Sequence, residues 1–70
     1  MNTMDFEVRR TAKRSEDWVL LCYLPNNSVT PWVTWVSGTP TGISGRSCGH
    51  YFDDAGEALA DFEERAGGVP

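Results

Sequence analysis

Seventy residues with 40% hydrophobic content, three Trp, three Phe and two Tyr allow one compact domain and exclude a disordered tail. No apolar run approaches the length that spans a bilayer, and no basic-then-apolar leader opens the chain, so the expectation is a soluble, cytoplasmic protein without a membrane partner. The net charge of −4 is unevenly placed: residues 1–50 hold four acids against five bases (+1), and residues 51–70 hold six acids against Arg65 (−5). Such asymmetry points to a partner with a positive surface and away from direct nucleic-acid binding.

In chain order, the first element is the alternating segment "DFEVRRTA", which predicts a half-buried strand over about 5–12 with Phe6, Val8 and Arg10 on one side. "KRSED" suits a turn. "WVLLCYLP" is apolar on both faces and ends at Pro25, so it predicts a central strand over 18–24. After the turn-rich "NNSVTP", "WVTWVSG" predicts a strand over 32–37 with Trp32, Thr34 and Val36 on one face and Val33 and Trp35 on the other. The connection "TPTGISG" is rich in Gly and Pro. "RSCGHYF" predicts a short strand over 46–52 with Cys48, His50 and Phe52 on one face, a reading that Gly49 weakens.

The last element is a helix over 54–66. Asp54 is placed to cap it, with Glu57 at the capping-box position. Ala55, Ala58, Leu59, Phe62 and Ala66 recur on one face, and Gly67 and Gly68 supply the stop. The expected fold is therefore α+β: an antiparallel sheet of three to four strands in a single domain over 1–70, with one C-terminal helix packed on it through Leu59 and Phe62.

Asp54, Glu57, Asp61 and Glu64 fall within an arc of roughly 80° on such a helix, flanked by Asp53, while Glu63 points elsewhere. A solvated polar face and the helix dipole account for Asp53, Asp54 and Glu57. They do not account for Glu63 and Glu64 near the negative end of the dipole, and like charges three and four apart repel. Asp61 to Arg65 is the one favourable i,i+4 pair. Six acids over twelve residues place a charge about every 3 Å of helix, close to the 3.4 Å phosphate spacing of one DNA strand.

Cys22, Cys48 and His50 match no standard zinc spacing, and no activated thiolate is marked, so neither a metal nor a cofactor nor an enzyme is expected. In a cytosolic chain the two cysteines default to reduced, buried thiols. One of Trp32 and Trp35 is expected in the core, and an exposed one would make an interface anchor. The basic cluster Arg9, Arg10, Lys13 and Arg14 reads as solubilising or as balance for the acidic helix.

The succession of the Trp32-x-x-Trp35 strand "WVTW", a Gly-rich connection, "GHYF", and a helix carrying Ala58, Asp61, Phe62 and Arg65 resembles small proteins encoded by phages and mobile elements. Over about residues 30–66 it is similar to anti-CRISPR inhibitors of the type I-C kind. The resemblance implies a non-enzymatic inhibitor, monomer or homodimer, in the bacterial host cytoplasm. Its partner would be a host Cas protein or CRISPR surveillance complex, and it would exclude target DNA by steric and electrostatic blockade. Asp53, Asp54, Glu57, Asp61, Glu63 and Glu64, with Trp32 and Trp35, are the candidate partner-binding residues. The alternatives are an interaction module or dimer using exposed sheet aromatics, or an inhibitor of another host defence nuclease.

Overall fold

The computed structural model describes residues 6–42 and 45–67. Four strands, β1 (Glu7–Lys13), β2 (Trp18–Tyr23), β3 (Trp32–Ser37) and β4 (Ser47–Phe52), precede one helix, α1 (Ala55–Arg65). The strands form an antiparallel meander in the order β1-β2-β3-β4, with α1 packed on β2, β3 and β4. This is the α+β architecture expected from the sequence. Asp5, placed in the first strand by its alternation, lies outside the described residues.

The doubly apolar "WVLLCY" becomes a central strand because it alone can supply both faces. Leu20 and Cys22 join Phe6 and Val33 on the face away from the helix, with Val8, Trp18, Leu24 and Trp35 around them. Val19 and Leu21 meet Ala58 and Phe62 on the helix face, with Ala12, Trp32, Phe52 and Leu59 around them. Each face therefore has its own small core.

Two bulges correct the simple alternation. In β1 the register shifts between Val8 and Arg10, so Val8 opposes Cys22 while Arg10 opposes Leu21. The extra residue, Arg9, separates Val8 from Arg10, which the sequence placed on one side; a bulge changes the phase of every later residue. In β4, Thr34 pairs with His50 but Val36 with Ser47, and Cys48 takes a left-handed φ of 56° between them. His50 and Phe52 share the helix face as expected, but Cys48 is taken up by the bulge. Gly49 lies against Trp35: a Cβ there would sit 2.7 Å from the indole Nε1. The glycine that weakened the strand prediction gives the Trp35 ring its place.

A candidate acidic surface along the helix

Helix α1 starts where the Asp54 carboxylate accepts the Glu57 backbone N–H at 2.9 Å. It ends at Gly67, whose left-handed φ of 83° carries its N–H to the Glu64 carbonyl at 3.1 Å. Ala58 and Phe62 are buried beneath it, Leu59 only partly.

The wheel is turned relative to the one that Leu59 and Phe62 suggest, and the turn brings Asp61 and Arg65 inward. The fully buried Thr34 hydroxyl donates to Asp61 Oδ2 at 2.5 Å. His50 Nδ1 lies 3.1 Å from the same oxygen, within hydrogen-bond distance. Arg65 Nη1 donates to the Thr34 hydroxyl at 2.9 Å and to its carbonyl at 3.2 Å, and lies 3.9 Å from Asp61. The side chains of Asp61 and Arg65 are only 19% and 13% exposed. This cluster ties the C-terminal half of the helix to β3 and β4.

Arg14, from the β1–β2 turn, donates to the Arg65 carbonyl at 3.3 Å, a cation at the negative end of the helix dipole. It is held there by Asp17 at 2.6 and 2.9 Å. Those hydrogen bonds hold the Asp17 carboxyl below its ordinary range and raise the Arg14 guanidinium.

Of the six candidate acids, Asp61 is thus engaged with the sheet, and Asp54 is exposed but serves as the cap. Asp53, Glu57, Glu63 and Glu64 are exposed. Asp61 touches His50 on β4, so at 100° per residue Glu57 and Glu64 lie further round on the β4 side, and Glu63 on the side nearer β1.

Trp32 and Trp35 are on opposite faces, both half-buried. Trp32 packs with Tyr23 at 5.0 Å on the helix face, beneath the Arg9 guanidinium. Trp35 packs edge-on with Phe6 at 5.5 Å and with Tyr51 at 6.4 Å, beneath Arg46. Tyr51, 52% exposed, is the more accessible aromatic. Cys22 opens onto the face opposite His50, so Cys22, Cys48 and His50 do not converge. Burial pushes the Cys22 thiol up to about 11, while Cys48 is exposed. Among the described residues no group of His, Cys, Asp and Glu is arranged to hold a metal, and no helix is long and apolar enough to cross a membrane.

Thr34 and Arg14 are the structural partners that sequence reasoning missed. A Thr at an inward strand position opposite Leu21 was a signal for a buried polar contact. Nothing in the local sequence marks Arg14 as a helix cap. No known protein family, curated protein or solved structure matches the chain.

Proposed function

We propose that this chain is a non-enzymatic binding protein whose outer helix surface, centred on Glu57 and Glu64 with Asp53 and Asp54 at its start, engages a basic nucleic-acid-binding surface. The partner is a bacterial CRISPR–Cas surveillance complex, which the bound protein denies to target DNA. The observation that carries the reading is the disposition of charge on α1. Its one base, Arg65, is turned inward onto Thr34, and among the described residues no base pairs with Asp53, Glu57, Glu63 or Glu64. Glu57 and Glu64 stand roughly 10 Å apart along the axis, about three phosphate steps of one DNA strand. The identity of the complex rests on the resemblance of residues 30–66; the same electrostatic mode would serve against another host defence nuclease.

Reversing Glu57 and Glu64 to Lys tests the reading without touching the Asp61 cluster. The double variant should stay folded, lose binding to the surveillance complex and cease to compete with target DNA. Wild-type binding should weaken steeply as salt rises. Inhibition that survives the double reversal would leave the acids as solvated surface only. Tyr51, exposed beside Trp35 on the face away from the helix, favours a second reading, contact through sheet aromatics. A salt-insensitive interaction lost in Tyr51→Ala would support that one instead.

A further inference from the structure

The sheet stops at β4, and no described strand pairs with its outer side. Residues of an antiparallel strand direct their N–H and C=O groups alternately to either side, so an edge strand offers unpaired backbone to any extended chain. The other edge, β1, is blunted by Arg9, Arg10 and Lys13 and by its bulge. β4 reads SCGHYF, with neither Lys nor Pro. Its irregularity is confined to the neighbourhood of Cys48, leaving His50, Tyr51 and Phe52 in regular register with Thr34, Val33 and Trp32.

What lies on either side of this edge selects the chain that would fit it. On the helix face, Asp61 already reaches His50, and at 100° per residue the exposed Glu57 and Glu64 lie further round the helix on that same side. A fifth strand, about 4.8 Å further out, would run beneath these two carboxylates with every second side chain turned toward them. Its other side chains would meet Tyr51, exposed on the opposite face. A second copy suits the edge poorly. Pairing β4 with β4 about a two-fold axis would put both helices on one face and set Glu57 and Glu64 of each copy toward their counterparts.

We propose that the outer edge of β4 is a strand-addition site for an extended partner segment with Lys or Arg at alternate positions and apolar residues between them. This rests on the reading of Glu57 and Glu64 given above and adds to it a main-chain contact, with His50–Phe52 supplying the hydrogen bonds.

The test titrates the full chain with a synthetic peptide of alternating Arg and Val, alongside two versions N-methylated either on every Arg or on every Val amide. All three carry the same charge. In an added strand, only one of the two amide sets faces β4. The unmodified peptide should slow amide exchange in residues 47–52. One N-methylated version should lose at least about tenfold in affinity, since its methyl groups remove one or two net backbone hydrogen bonds and hold the strand away from β4, and the other should keep it. Glu57→Lys/Glu64→Lys should abolish binding of all three.

Equal affinity for both N-methylated peptides, with β4 exchange unchanged, would overturn strand addition and leave the electrostatic reading standing. Failure of every peptide, while the double reversal still abolishes binding to the surveillance complex, would also overturn strand addition alone. Slowed β4 exchange that rises with protein concentration and needs no peptide would assign the edge to a second copy and overturn the proposal.

Discussion

On one face of the sheet, Ala58 and Phe62 lie on Val19 and Leu21, and an eleven-residue helix covers three of the four strands. On the other, Leu20, Cys22 and Val33 are just as inaccessible, although no described helix or strand lies over them. There the cover is made of side chains and loop: Phe6 edge-on to Trp35, the Arg46 guanidinium 4.3 and 4.5 Å above those two rings, and Gly42 held so close that a Cβ would come within 2.7 Å of Leu20. A sheet this small is closed on one side by a secondary-structure element and on the other by long side chains whose apolar stems lie flat. The first solution is cooperative and costly to breach; the second is local.

The largest effect should come from the helix face. Phe62→Ala removes the helix's main apolar anchor and should cost about 3–5 kcal/mol, a large part of the stability of a domain this size. Chemical denaturation monitored by circular dichroism would measure it, and a loss below about 1 kcal/mol would mean that the helix is not held by its core contacts. Asp61→Ala should follow at about 1–3 kcal/mol, because it strands the Thr34 hydroxyl and removes the carboxylate that His50 contacts and Arg65 pairs with. Asp61→Asn, which can still accept from Thr34, should cost less.

On the other face, Arg46→Ala should lower the melting temperature only slightly while shifting Trp fluorescence to the red, since it uncovers the Trp35 ring without opening a core. An effect as large as that of Phe62→Ala would erase the contrast between the faces. The smallest effects are chemical. Exposed Cys48 should alkylate at once in the native protein and Cys22 only on unfolding. Cys22 ionises more readily unfolded, near 9.0, than folded, near 11, so its contribution is intact below pH 9 and stability falls as pH rises from there through 11. Asp17 acts with the opposite sign: its folded pKa is depressed, so its contribution is present above the ordinary 3.8 and disappears as pH falls below that value.

Much of this arrangement was legible from periodicity. The two-faced "WVLLCY" had to be central, the Trp pair had to straddle the sheet, and the Asp54 cap and Gly67 stop framed the helix. What periodicity could not supply was phase. The Arg9 bulge depends on pairing with β2, and nothing inside "EVRRTAK" forces it. The rotation of the helix departs from the wheel for a similar reason. An apolar arc running from Ala58 to Leu59 through Phe62, Ala55 and Ala66 puts Asp61 among the outward acids, whereas Thr34 and His50, far away in sequence, draw Asp61 and Arg65 inward. Local apolar pattern located the helix, and distant polar partners set its rotation. The acidic surface is correspondingly narrower than the sequence suggests, because Asp61 is engaged with His50 and Thr34.

The meander also constrains the order of assembly. Each strand pairs with its neighbour in the chain, so the sheet can grow by successive local closures, which favours fast folding. The polar tie beneath α1 has no such freedom, since Asp61 needs Thr34 from β3 and His50 from β4 before it has anything to hold. Docking of the helix is therefore conditional on a finished β3–β4 hairpin. The free energy that protects the helix amides against exchange should then never exceed the one that opens that hairpin.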